Sequence, residues 1–435
     1  MKLSRETYEQ YVAILHKELV PALGCTEPIA IAYAAALARK TLEERPEEMT
    51  VACSGNVIKN AMGVTVPNSG GMKGIAAAAA LGAIGGNADK VLEILTGIGQ
   101  EEQAETRAFL DAGACRWEVI PNSPGLHIVV RMKAGEHTSL VEIRGTHTNV
   151  IRMEKDGEVL FTKDFDVNNV KKELRYDLLN LDGILAFADQ VDLQDVQEVL
   201  DRQIQCNSAI SQEGLTHAYG AQVGKTLLEC YENDLRTRAK ARAAAGSDAR
   251  MNGCDLPVVI NSGSGNQGLT VSLPVIEYAK EWGCSHEELL RALCVSNLIS
   301  LYIKFGIGVL SAYCGAVSAA CGSGAAIAYL HKDSRQVVED TIINTLGNVS
   351  GIVCDGAKAS CAAKIASSVD AALMGYQMAL KGRVFPFGEG LVQTDADRLI
   401  KVIGRVGKEG MQETDVCILD IMSQTVQSPK TAVPV

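Results

Sequence analysis

Residues 347–361, GNVSGIVCDGAKASC, set Cys354 and Cys361 seven positions apart in a glycine-punctuated segment that joins two strongly apolar runs of helical period. Working outward, Cys314 lies forty residues upstream at the start of another apolar run, and Cys25 sits far away in LGCTEP. These four thiols are the candidates for chemistry. Read by itself, the pair Cys354 and Cys361 fits a zinc site, a redox couple or simple packing.

The gross composition narrows the field. A chain of 435 residues predicts two or three domains. Its 47% hydrophobic content with only 5% aromatic residues is mostly alanine, valine, isoleucine and leucine, which suits closely packed helices. A net charge of −11 argues against a nucleic-acid or anionic-membrane surface, so no partner of either kind is expected. The start, MKLSRETYEQYVAILHKELVPALG, lacks an apolar core long enough for a signal peptide and predicts a cytoplasmic protein. In a reducing compartment the thirteen cysteines are expected as free thiols, most of them small buried hydrophobes and a few of them metal ligands. Residues 289–330 carry only Arg291 and Lys304 as charges, yet Asn297, Gly306, Gly308, Gly315 and several serines interrupt them, so they read as core helices rather than membrane spans.

Residues 4–20 have helical spacing up to Pro21, and Pro28 opens a second helix with Thr26 as its expected N-cap and Glu27 in its first turn. Cys25 then stands just outside a helix N-terminus, where the dipole is expected to favour a thiolate. From residue 49 short extended pieces and alternating runs at 116–120, 126–132, 139–143, 149–153 and 158–161 predict an antiparallel sheet with helices on one face. Beyond residue 167 the period is helical. The expected fold is mostly α with an α+β unit: N-terminal helices at 1–48 packing on a helical domain at 166–435 that carries Cys314, Cys354 and Cys361, with an α+β domain at 49–165 between them in sequence.

A quasi-repeat links the two halves. VTVPNSGGMKGIAAAAALGAIG at 64–85 resembles VVINSGSGNQGLTVSLPVIEYA at 258–279, each an apolar run, Asn-Ser-Gly, more glycine and a helix. Such turns can present backbone N–H groups to a carboxylate or phosphate, or can merely let helices pack closely. GSGNQG has the GxGxxG form but no βαβ context, and neither loop fits a P-loop, so a nucleotide site is weakly signalled.

Zinc sites usually show close CxxC or HxxxH pairs, which this chain lacks. Iron–sulfur clusters tolerate irregular spacing, and three cysteines on a [4Fe–4S] cluster leave one iron open as a Lewis acid. GCTEP, NSGG, NSGSGNQG, AYCGAVSAACGSG and GNVSGIVCDGAKASCAAKI together closely resemble the L-cysteine desulfidase family, relatives of the α chain of iron–sulfur L-serine dehydratases. The resemblance runs over essentially the whole chain. It implies that Cys314, Cys354 and Cys361 hold a [4Fe–4S] cluster, that Cys25 is the catalytic cysteine, and that L-cysteine is eliminated to sulfide, pyruvate and ammonia. Serine dehydratases space the last two ligands more widely, after CDP rather than CDG, which makes serine dehydration the second choice.

Several residues keep two readings. Cys25 is placed to remove the Cα proton, while Glu27 either orients the substrate amine or offsets the helix dipole. Asn68, Ser69 and Gly70, Asn261, Ser262 and Gly263, and Asn266 are the candidates for gripping the substrate carboxylate. Cys321 is the substitute ligand two helical turns after Cys314. Asp355 and Lys358 either reach the site or close their own loop, and His147 marks a candidate small-molecule contact. The rival functions are a pyridoxal-phosphate lyase with Lys73 as its Schiff-base lysine and a non-catalytic amino-acid sensor. A homodimer is left open.

Overall fold

Alanine and glycine let helix axes approach closely, and the chain uses them in this way from its first long helix. The computed structural model describes residues 3–121, 123, 125–165, 174–308 and 311–427. Helix α1 (Arg5–Glu18) leads through a short strand β1 (Pro21–Leu23) to α2 (Thr26–Leu42). Strand β2 (Glu48–Cys53), helices α3 (Gly55–Ala61), α4 (Gly74–Gly85) and α5 (Gln100–Asp111), and strands β3 (Cys115–Val119), β4 (His127–Ala134), β5 (His137–Arg144), β6 (Val150–Lys155) and β7 (Glu158–Thr162) follow. Helices α2 and α4 lie against the sheet and against each other. At their crossing a Cβ on Gly82 would stand 2.3 Å from the Ala32 carbonyl oxygen, so only glycine allows the contact.

The sheet runs β3-β2-β4-β5-β6-β7 and is mixed. Four of its pairings are antiparallel as expected, but β3 lies parallel to β2, with Val51 opposite Trp117. The expectation of a purely antiparallel sheet fails here because α3, α4 and α5 form a crossover between the two strands, and such a crossover returns the chain in the same direction. The segment GNVIKNA, expected to be extended, is α3. Of the segment 1–48, α1 contacts the helical part through α11, while α2 packs on the sheet and α4.

The remaining helices are α6 (Leu181–Gln190), α7 (Gln197–Thr216), α8 (Val223–Cys230), α9 (Leu235–Met251), α10 (Gly265–Glu281), α11 (His286–Ile307), α12 (Gly315–Leu330), α13 (Arg335–Asn348), α14 (Cys361–Leu380), α15 (Ala396–Arg405) and α16 (Gln412–Gln427), with β8 (Pro257–Val259) before α10. Helix α11 is long and apolar enough to cross a membrane, but 83% of its apolar window is buried, and α6, α10, α12 and α15 pack around it. It is a core helix, as the interrupting polar residues suggested. Strand β8 pairs antiparallel with β1, Pro21 opposite Val259 and Leu23 opposite Pro257. That small sheet ties the chain just before Cys25 to the chain just before the second Asn-Ser-Gly turn.

One buried carboxylate makes stability depend on pH. Asp248 on α9 is 1% exposed and accepts from the Gly224 N–H of α8 at 2.9 Å. Burial, only partly offset by the Gly224 and Val223 amides, pushes its pKa up to about 6. The unfolded chain releases this proton near the ordinary value while the folded chain holds it, so stability falls as pH rises through that window and stays low above it. Asp248→Asn is expected to remove a penalty on the order of 2–3 kcal/mol at neutral pH. Melting curves of both proteins between pH 4.5 and 7 should diverge as pH rises, and a constant gap would refute the assignment.

Candidate active site

Four helix N-termini converge on one cleft. Cys25 is the N-cap of α2, Ser264 of α10 and Cys314 of α12, and Cys361 is the first residue of α14. All four residues line a cleft enclosing about 760 Å3 of space not filled by protein atoms, part of it open to solvent. Each N-terminus points unpaired N–H groups and a partial positive charge inward, so the cleft favours thiolates and other anions.

Local backbone pairing sets the thiols. The Cys314 N–H donates to the Ile352 carbonyl at 2.8 Å and the Cys354 N–H to the Ala312 carbonyl at 2.7 Å, clamping the two cysteines side by side. The loop from Cys354 to Cys361 turns at Gly356, where φ is +94° and an added Cβ would stand 2.1 Å from the Lys59 carbonyl oxygen. Glycine is required there on both counts. Its neighbours Ala357 and Cys361 pack against Cys25, Val64 and Met251. Cys25 is thus folded back onto the loop from more than three hundred residues away.

The thiols are not electrostatically alike. A hydrogen bond from Cys314, with the charges of Lys59 and Lys304 nearby, holds Cys354 down, while the same hydrogen bond and burial push Cys314 up. Burial raises Cys361. Lys304, 3% exposed, donates to the Gly308 carbonyl at 2.6 Å and is pushed down to about 8 by burial, against the pull of the cysteines. Lys59 reaches from α3 to Asp415 of α16 at 2.5 Å.

Cys25 departs from its expected state. Its Sγ–H donates to Glu27 Oε2 at 3.2 Å, and burial together with the Glu27 charge pushes the thiol well up rather than down. A helix N-terminus contributes at most about 2 kcal/mol, whereas full burial shifts a pKa by up to 3–5 units, so burial wins. Glu27 is itself ionised: burial opposes this, but His147, 3.8 Å away, and the Cys25 thiol hold its carboxyl down at about 2. Asn60 Nδ2 donates to its other oxygen at 3.0 Å. Thr26 Oγ1, the first residue of α2 rather than its cap, bridges to the Gly263 carbonyl at 2.8 Å and locks the two loops together.

The remaining sequence candidates divide. Ser262, Gly263 and Asn266 line the cleft, but Asn261 does not. Asn261 is fully buried, donating to Asn297 Oδ1 and accepting from Ser300, and so anchors the loop from behind. Asn68, Ser69 and Gly70 are not in the cleft: Asn68 donates to the Leu95 carbonyl, Ser69 to that of Met72, and the Gly70 carbonyl accepts from Arg107 of α5. The first Asn-Ser-Gly turn therefore braces helices. Cys321 is buried in the apolar core and does not reach the thiols. Asp355 pairs with Lys358 and Lys364 outside the lining, closing its own loop. Lys73 is exposed at the start of α4, away from the cleft. Asn60, Arg250, Gln267 and Lys304 line the cleft without having been singled out, while His147, which had been, joins them.

Among the described residues no three histidine, cysteine or acidic side chains converge enough to hold a single metal ion. Cys314, Cys354 and Cys361 instead surround a shared space, which suits a cluster because each cysteine binds a different iron. The donor set fits: Cys314 and Cys361 stand at helix N-termini and Cys354 on the loop between them, with the buried Lys59 and Lys304 behind.

Comparison with known proteins gives this geometry a family. Residues 89–420 match the serine dehydratase alpha chain family. The chain belongs to that family. It is 54% identical to a relative from Lachnoclostridium phytofermentans, over 95% of this chain and 99% of the relative. A relative from Desulfitobacterium hafniense is 49% identical, over 95% and 96%, and one from Treponema denticola 45% identical, over 97% and 99%. All three are named only as UPF0597 proteins. The segment matched to the serine dehydratase alpha chain family contains Cys314, Cys354 and Cys361, while Cys25 and Glu27 precede it.

Proposed function

We propose that the protein is a [4Fe–4S]-dependent lyase that eliminates sulfide from L-cysteine, leaving aminoacrylate that hydrolyses to pyruvate and ammonia. The observation that supports this most directly is the meeting of Cys25 with Cys314, Cys354 and Cys361 on one cleft. Membership of the serine dehydratase alpha chain family supports the same reaction class and favours serine dehydration as the second reading. When bound, the cluster supplies a Lewis acid for the leaving group.

The chain's own residues do the rest. Cys314, Cys354 and Cys361 hold the cluster, and Lys59 and Lys304 offset its negative charge. Cys25 releases its thiol proton to solvent through the open part of the cleft and, as thiolate, takes the Cα proton. The Glu27 charge opposes that loss in the resting protein, and a substrate ammonium placed beside Glu27 offsets the charge. Burial of the whole group keeps bulk water from competing for the proton.

The test is an anaerobic assay of sulfide and pyruvate from L-cysteine and L-serine side by side, with iron quantified. Equimolar sulfide and pyruvate from L-cysteine, faster than pyruvate from L-serine, is expected. Faster turnover of serine would overturn the substrate and leave the reaction class, and no turnover of either by fully iron-loaded protein would overturn both.

A further inference from the structure

Arg250 lies next to the last residue of α9 and is 1% exposed. Its Nη1 donates to Asn266 Oδ1 at 3.0 Å, which fixes the plane of the guanidinium. Both Nε and Nη2 are buried and, among the described residues, have no partner. These two N–H groups lie on one edge and form the fork that matches two carboxylate oxygens. The protein uses the same edge elsewhere: Arg236 holds Asp370 through Nε and Nη2 at 3.0 and 2.9 Å, and Arg175 holds Asp177 at 2.8 Å through both.

Leaving two donors of a buried cation unmatched is costly, so this edge suits a ligand with two matching oxygens. Arg250 lines the cleft, where among the described residues the one acidic side chain is Glu27, and Glu27 already accepts from Cys25, Thr26 and Asn60. Gly265 packs directly beside the guanidinium, since an added Cβ there would stand 2.3 Å from Arg250 Nε.

A second orphan has the opposite polarity. Gln267 Oε1, in the same cleft, is a buried acceptor without a donor, and Gly315 leaves it room, since a Cβ there would stand 2.5 Å away. We propose that the unpaired Nε/Nη2 edge of Arg250 is the carboxylate subsite for an α-amino acid, with Gln267 Oε1 accepting from its ammonium group. Asn266 is then a positioning residue that orients Arg250, not itself the carboxylate grip expected from the sequence. The assignment rests on the lyase reading for the identity of the substrate and on the orphaned groups for its binding mode.

The experiment measures inhibition and calorimetric binding on anaerobic holoenzyme with L-cysteine, cysteamine, which lacks the carboxylate, and 3-mercaptopropionate, which lacks the amine. Wild-type protein should bind cysteamine on the order of 100-fold more weakly than L-cysteine, as expected when one partner of a buried charged pair is missing. Arg250→Lys should raise KM with iron content unchanged and shrink that gap below about tenfold, because lysine keeps the charge without the fork. Equal wild-type affinity for cysteamine and L-cysteine would overturn the subsite whatever the variant does. Turnover of L-cysteine with the gap unchanged in Arg250→Lys overturns the subsite and leaves the lyase reading. Arg250-dependent binding of 3-mercaptopropionate without turnover of any amino acid overturns the lyase reading and leaves the subsite.

Discussion

Cys354→Ser is expected to lose its iron and its turnover together, by more than about 100-fold in each. Mutating a group that merely supports a metal ligand typically costs 10–100-fold in affinity or activity, and loss of the ligand itself should exceed that. Cys354 is the sharpest choice of the three because the hydrogen bond from Cys314 and the charges of Lys59 and Lys304 lower its thiol, which favours binding as thiolate. The hydrogen bond its backbone N–H donates to the Ala312 carbonyl does not involve the side chain, so the loop should survive the change. Cys321→Ser is the control: that thiol sits in the apolar core, so the variant should lose stability but keep its iron-to-protein ratio. Iron and acid-labile sulfide per chain, with the melting temperature, separate the cases. Full iron in Cys354→Ser, or depletion in Cys321→Ser, would refute the ligand set.

How much of this was legible depended on where the information lay. The cysteine spacing was legible because the loop joining Cys354 to Cys361 is local, and the helix that follows begins at the second thiol. The small-residue helices were legible from composition alone. The parallel placement of β3 was not, since strand direction is set by where α3, α4 and α5 carry the chain and not by the strand's own residues. The two Asn-Ser-Gly turns look alike in sequence, yet one faces α5 and the other faces the cleft. Pattern could not divide them because their neighbours are long-range. Arg250 was hidden differently: LRTRAKARAAAGSDARM holds four arginines and a lysine, and Arg236, Arg238, Arg242 and Lys240 all pair with acids. Only burial and the two unmet donors set Arg250 apart.

The second large effect concerns Cys25, and its value lies in separating cofactor from proton transfer. Cys25→Ala is expected to keep full iron, because its thiol is not among the three proposed to hold the cluster, while sulfide release falls by roughly 10²–10⁴-fold, the usual worth of a positioned acid or base. The structure adds a constraint that helix position alone would miss. Cys25 rests protonated against an ionised Glu27, so the base forms only when that carboxylate is offset. Glu27→Gln removes the opposing charge while keeping an acceptor for Cys25 and Asn60, and should therefore leave iron in place and weaken substrate binding more than it slows the bound complex. His147 is the competing base, since its Nε2 is buried, has no hydrogen-bond partner among the described residues and lies 3.8 Å from Glu27. Exchange of the substrate Cα proton in deuterated water discriminates between them under conditions where elimination is slow. Exchange lost in Cys25→Ala but kept in His147→Asn assigns the proton to the thiol. The reverse pattern assigns it to the imidazole and reduces Cys25 to a donor that holds Glu27 in place.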